Sequence, residues 1–301
     1  MTTALVTGGA GFIGSHIADA LLAQGWPVVV IDDLSSGSLA NLPPGAEFHQ
    51  IDITSPALEH FFENRRFEAV VHCAAQVKVD KSMADPALDR AVNVGGTASL
   101  LSACRASRVQ RFVFVSTGGA IYGETPLPAT EDTLPRPISY YAIHKYTAER
   151  YVELSGLSYA ILRLANVYGP RQRSDLEGGV VSIFMDRLRQ KQPVHIFGSG
   201  EQLRDFVYVK DVVSAVLACL RDRRSGLWNV GTGVPTSVND LLTILAAALG
   251  PPVEVHHGPA RPGDIFRSCL DINRIIGDGL WRPAYHLEDG IRDMQAVAAQ
   301  R

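Results

Sequence analysis

Three hundred and one residues leave room for about two domains, at roughly 150 residues each, and for a large buried core. Lys and Arg (28) nearly balance Asp and Glu (31), and no stretch stacks about five like charges, which argues against a nucleic-acid or membrane-surface binder, so an acidic ligand must be held locally. The longest apolar stretches, such as 241–249, fall well short of the roughly 18 residues of a membrane span.

No basic segment precedes Ala4-Leu5-Val6-Thr7, which runs straight into a glycine cluster. It reads as a first strand rather than a signal peptide, and a cytoplasmic protein is expected. Short apolar runs at 4–7, 28–32, 47–51, 69–73, 111–116 and 159–163 alternate with helix-length amphipathic stretches, the pattern of βαβ units on a parallel sheet. The first helix is predicted over about 12–24, with Ile13, Ile17, Leu21 and Leu22 on its apolar face and Gly25 as its stop. Longer helices are predicted over about 85–107, opening with Asp85 as cap and Pro86 in the first turn, and over about 140–155. After Arg163 the alternation weakens. A strand near 205–209, a helix to about Arg221 and a strand near 227–230 still read as layers of a sheet, followed by a helix capped by Ser237 and a last helix from about Leu287. The predicted fold class is α/β: a Rossmann-type doubly wound parallel sheet over 1–165, rejoined by about 205–230, with a smaller, interleaved C-terminal substrate-binding lobe from 166–204 and 231–301. Cys73, Cys104, Cys219 and Cys269 are widely spaced and read as buried thiols, with no metal-ligand spacing and no metal expected.

Three constellations carry chemistry. Gly8-Gly9-Ala10-Gly11-Phe12-Ile13-Gly14 lies between a strand and a helix, with Asp32-Asp33 at the end of the next strand. A tight turn at Gly8, close backbone approach at Gly11 and close helix packing at Gly14 would set a pyrophosphate on the helix N-terminus. A carboxylate at Asp32 accepts from ribose hydroxyls and repels a 2′-phosphate, which favours NAD over NADP. Tyr141 and Lys145 stand four residues apart on a predicted helix, within roughly 40° on one face, whereas Tyr140 is about 140° from Lys145. A nearby ammonium and a nicotinamide cation would both favour the tyrosine phenolate. An apolar strand ends at Ser116-Thr117, ahead of Gly118-Gly119-Ala120-Ile121-Tyr122-Gly123, and strand C-termini are where ligands bind in such sheets.

Together these motifs resemble the extended short-chain dehydrogenase/reductase family and, within it, the NAD-dependent UDP-sugar 4-epimerases. The resemblance covers nearly the whole chain. It implies cofactor contacts from Asp52, Ile53, Ala74, Ala75 and Asn93; substrate diphosphate contacts from Asn166, Arg204 and Arg261; Asp264 at the nucleotide ribose; and Val180 near the uracil. It also implies a catalytic Tyr141, with Lys145 on the nicotinamide ribose, and Ser268, four residues after Asp264, flanking the C2 substituent of the sugar. One position departs from the pattern: the usual catalytic hydroxyl falls on Gly118, leaving Thr117, with Ser116 behind it, as the replacement. UDP-glucose, UDP-N-acetylglucosamine and UDP-glucuronate all remain open as substrates, as do a 4,6-dehydratase or decarboxylase and, more remotely, a non-catalytic NAD sensor. Gly118-Gly119 stand where a dehydratase needs an acidic pair, which favours the epimerase. Lys78 is expected to face solvent, and a homodimer through the helices at about 85–107 and 140–155 is expected by resemblance.

Overall fold

The computed structural model describes residues 3–126, 128–175, 179–260 and 264–299. In chain order the first part runs β1 (Ala4–Thr7), α1 (Phe12–Ala23), β2 (Val28–Asp32), β3 (Glu47–Gln50), α2 (Ala57–Glu63), β4 (Ala69–His72), α3 (Val79–Ala84), α4 (Pro86–Arg90), a π-turn at Ala91–Gly96, α5 (Thr97–Ala106), β5 (Arg111–Thr117), α6 (Gly118–Ile121), α7 (Tyr140–Leu154) and β6 (Tyr159–Leu164). The remainder is β7 (Asn166–Tyr168), α8 (Val180–Arg189), β8 (Val194–Phe197), β9 (Leu203–Tyr208), α9 (Val209–Arg221), β10 (Gly226–Val230), β11 (Pro235–Ser237), α10 (Val238–Leu249), β12 (Val255–Gly258), β13 (Arg267–Ser268), α11 (Asn273–Gly277) and α12 (Leu287–Ala299).

Seven strands form one parallel sheet in the order β3-β2-β1-β4-β5-β6-β10. The chain reverses direction between β1 and β4, and the C-terminal ends of β1, β2, β4 and β5 converge there. The strands β1, β2 and β4 are buried along their whole length, because helices cover both faces; this is why they read as unbroken apolar runs rather than alternating ones. Ile17, Leu21, Val212 and Val216 pack one face, and Leu58, Leu100, Ala148 and Val152 the other. The helix ends follow the predicted chemistry: Asp85 accepts from the Leu88 N–H, Ser139 from Ala142 and Ser237 from Asp240.

A smaller layer forms around β9, which pairs with β7, β11 and β13, while β8 and β12 pair separately. Here the sequence reading needs correction. The segment 205–230 divides: α9 packs on α1 and β5, and β10 joins the large sheet, but β9 belongs to the second layer. Asp205, on β9 and fully buried, joins the two by accepting from the N–H and hydroxyl of Thr232 (2.9 and 2.6 Å) and the N–H of Gly233 (3.1 Å), just beyond β10.

A side chain at Gly14 would begin against the backbone of Gly8 and Gly9. Gly14→Ala should therefore destabilise by about 1–3 kcal/mol in urea unfolding, whereas Gly277→Ala, in open space, should be neutral or stabilising. Equal stabilities would show that the first turn is not tightly packed.

Candidate active site

A cavity of about 540 Å³ opens at the converging strand ends. Gly8, Gly11, Phe12, Ile13 and Gly14 form its floor. Gly8 has a φ of +67°, a conformation in which a Cβ would strike the Ala74 backbone at 2.7 Å. Gly11 is the N-cap of α1 and, having no side chain, does not cap that helix end, which leaves first-turn N–H groups for a ligand anion. These glycines fit a dinucleotide pyrophosphate.

Asp32, Asp33, Asp52 and Ile53 line one end. The Asp32 carboxylate accepts from the N–H groups of Ala10 (3.0 Å) and Leu34 (2.8 Å), which fixes it at the end of β2. Burial raises its pKa, and these two donors oppose the rise. Asp52 accepts from both the N–H and the hydroxyl of Thr54 (2.8 Å each). Ile53 leans on Gly96, where a Cβ would lie 2.6 Å from its Cδ1. Cys73, Ala74 and Ala75 form the wall after β4.

Two residues differ from expectation. Asn93 is buried in the π-turn, and its side-chain amide is bonded within the protein: Oδ1 accepts from the Gln76 N–H (3.1 Å), and Nδ2 donates to the Gln76 carbonyl (3.0 Å) and to Asp89 (3.1 Å). It braces the cavity wall from behind rather than lining it. Lys78 does line the cavity, and its Nζ lies 3.5 Å from the Asp175 carbonyl. Gln76 holds this turn, because its side-chain amide both accepts from and donates to the Lys78 backbone (2.7 and 2.9 Å). Ser35, Ser36, Gln76, Lys81, Val92 and Gln172 also line the cavity without a motif to announce them; their only signal is their position in loops that leave strand ends or on the helices beside them.

Tyr141 and Lys145 line the cavity from α7, whereas Tyr140 is exposed and stacks on His144. Burial pushes the Tyr141 phenol up to about 12, against a hydrogen bond with Thr117 that lowers it. Burial likewise brings the Lys145 ammonium down to about 8, while the carboxylates of Glu149 and Asp89 hold it up. Lys145 donates to the Val115 carbonyl (2.7 Å) and sits over the Phe114 ring. With the protein's own groups alone, then, burial outweighs any help from the ammonium, and a phenolate needs further positive charge in the cavity. Thr117 is the hydroxyl that reaches Tyr141; that of Ser116 is turned inward and donates to the buried Glu149 (2.6 Å). A Cβ on Gly118 would stand 2.7 Å from the end of the Leu270 side chain, which would have to move aside to admit it.

Asn166 Oδ1 and Ser268 Oγ lie 3.4 and 3.8 Å from where a Cβ on Gly119 would stand, and the three make one corner beside the cavity. Ser268 is buried and pairs in register with Arg204. The Arg204 guanidinium donates to Asp264 (2.6 Å), so these two implied substrate contacts meet each other. Val180 is the first residue of α8 and is half-buried. Arg261 lies outside the described residues.

A glycine cradle, an acid at the end of the second strand and a Tyr/Lys pair over the switch point define a dinucleotide-binding enzyme of the short-chain dehydrogenase/reductase type. The chain belongs to the NAD dependent epimerase/dehydratase family, whose model matches residues 4–231. It is 42% identical over 301 residues to the UDP-glucose 4-epimerase of Mycolicibacterium smegmatis, covering 95% of each chain. Among solved structures it resembles a Thermotoga maritima UDP-glucose 4-epimerase with UDP-glucose (43% identity, TM-score 0.96, 99% of each chain). It is equally similar in sequence to a Thermus thermophilus UDP-glucose 4-epimerase in complex with NAD (43% identity, TM-score 0.93, 97% of each chain).

Tyr141→Phe should lower turnover by about 10²- to 10⁴-fold, Thr117→Val by less, and Tyr140→Phe hardly at all, in steady-state kinetics. Equal losses at the two tyrosines would overturn the assignment.

Proposed function

We propose that the protein catalyses NAD-dependent 4-epimerisation of a UDP-hexose, interconverting the UDP-glucose and UDP-galactose pair and their N-acetylated counterparts. The observation that carries this reading is the convergence of Tyr141, Thr117 and Lys145 over a glycine cradle, in a chain of this family. The N-terminal turn of α1 would hold the cofactor pyrophosphate, Asp32 the adenosine ribose and Lys145 the nicotinamide ribose. Bound NAD would supply a hydride acceptor and the positive charge that the Tyr141 phenol otherwise lacks.

Tyr141 then takes the proton of the sugar 4-hydroxyl, with Thr117 steadying that oxygen. The resulting 4-keto sugar turns about its diphosphate, while Arg204, Asn166 and Arg261 keep the nucleotide in place. The C4 hydride would pass to the cofactor as that first proton leaves; its return to the opposite face of C4, with Tyr141 giving the proton back to O4, would complete the epimer. A dehydratase would need an additional acid and base where Gly118 and Gly119 stand, and neither glycine has a side chain.

Among the described residues no helix is long and apolar enough to cross a membrane. A homodimer fits the exposed apolar side chains of Met83, Leu88, Tyr140, Ile143 and Tyr151 on α3, α4 and α7. Light scattering at micromolar protein should give twice the chain mass of 32.6 kDa; the monomer mass would reject the dimer.

Purified protein incubated with UDP-glucose, UDP-N-acetylglucosamine and UDP-glucuronate in parallel should give 4-epimers of the first two, and denaturing it should release NAD. A 4-keto-6-deoxy product, or epimer from the glucuronate alone, would overturn the substrate assignment. By resemblance Ser268, whose Oγ lies near Gly119, would flank the sugar's C2 substituent, and its small side chain would admit an acetamido group, so Ser268→Tyr should suppress the acetylated substrates selectively. An unchanged substrate ratio would remove Ser268 from the site.

A further inference from the structure

Tyr141, Lys145 and Glu149 follow one another at intervals of four on one face of α7. Each reaches the last three residues of β5. Tyr141 faces the Thr117 hydroxyl, Lys145 donates to the Val115 carbonyl at 2.7 Å, and Glu149 accepts from the Ser116 hydroxyl at 2.6 Å. Glu149 is fully buried. It also takes Arg163 of β6 in a two-pronged ion pair, Nη2 at 2.6 Å and Nε at 3.0 Å, with the guanidinium 4.8 Å from the centre of the Tyr122 ring.

A carboxylate removed from water and paired this way is a poor source of stability, since a buried ion pair can often be replaced by apolar side chains at little cost or with a gain. Its geometry does something else: it sets the register of the catalytic helix on the strand that carries the hydroxyl. We propose that Glu149 is a positioning residue for the 4-epimerisation, locking the face of α7 that bears Tyr141 and Lys145 onto the end of β5 and supplying negative charge to the Lys145 ammonium. The proposal rests on the 4-epimerase reading above.

The groups that face Lys145 are few. Tyr141 and Glu149 lie on its own helix, Asp89 comes from α4, His72 and Cys73 from the end of β4, and Arg163 from β6 is held by Glu149. Burial keeps His72 neutral, and it keeps Cys73 in the thiol form. Of the two carboxylates, Glu149 does more to hold up the Lys145 ammonium. The working form of Lys145 is the ammonium, present below its pKa and lost as pH rises through it. Removing the Glu149 charge lowers that pKa and moves the loss to lower pH.

Two variants separate positioning from framework. Glu149→Gln keeps the size, removes the charge and turns one of the two accepting oxygens into a donor; Glu149→Leu with Arg163→Met removes the whole pair. Both should fold cooperatively and retain NAD through purification, with kcat lower by about 10- to 100-fold and KM for the UDP-sugar little changed. In Glu149→Gln the alkaline limb of kcat, and the titration of the Lys145 ε-carbon followed by ¹³C NMR, should both move down by about one pH unit. Wild-type turnover in the double variant, an unmoved Lys145 titration in Glu149→Gln, or failure of both variants to fold would overturn the proposal. Should the wild-type protein epimerise no UDP-sugar, the functional reading falls, and the Lys145 titration still decides what the carboxylate does.

Discussion

The molecule is organised by a backbone contact that admits no side chain. Gly14, in the first turn of α1, lies against the carbonyl of Gly8, and Gly8 itself presses on Ala74 beyond β4. That contact brings the start of α1 down onto the ends of β1 and β4, at the point where the sheet reverses direction. The helix dipole and the N–H groups of the first turn thereby face the same opening as Asp32, Tyr141 and Lys145, which arrive from two other elements, β2 and α7. With side chains at these glycines the three elements would still form, but they would not share a cavity.

The same strand ends hold groups whose properties are set by burial more than by neighbours. Tyr141 and Lys145 are both pushed toward their neutral forms, the phenol upward and the ammonium downward. A phenol that holds its proton until positive charge enters the cavity is chemically quiet without its cofactor. Thr117 is the exception to this general desolvation, since its hydroxyl makes the one bond that favours the Tyr141 anion. At Gly118, one residue on, the space above the backbone is taken by the Leu270 side chain.

Much of this was legible in the sequence, for physical reasons. Strands buried on both faces leave continuous runs such as Val28–Asp32, and a cradle that excludes Cβ atoms leaves glycines at fixed spacing. Tyr141 was separable from Tyr140 because helical geometry alone puts only one of them beside Lys145. What stayed hidden depends on contacts without periodicity. Gln76 folds its amide onto the backbone two residues ahead, and that local bond, rather than any pattern, holds the turn at Lys78. Asn93 sits one turn before Thr97 in a π-turn that no spacing signals, and its amide braces Gln76 instead of lining the cavity. The sheet to which β9 belongs was equally invisible, since its partners β7, β11 and β13 are only two or three residues long.

The pairing of Arg204 with Asp264 bears on how a nucleotide would come and go. A guanidinium already matched by a carboxylate at 2.6 Å presents less bare charge to an arriving diphosphate than a free arginine would. If Arg204 takes the substrate diphosphate as proposed, Asp264 would compete for the guanidinium: it would have to yield before the anion is fully gripped and could reclaim Arg204 as the anion withdraws. The same side chain would then moderate affinity and assist departure. For an enzyme whose substrate and product carry the same diphosphate, that balance favours turnover over retention.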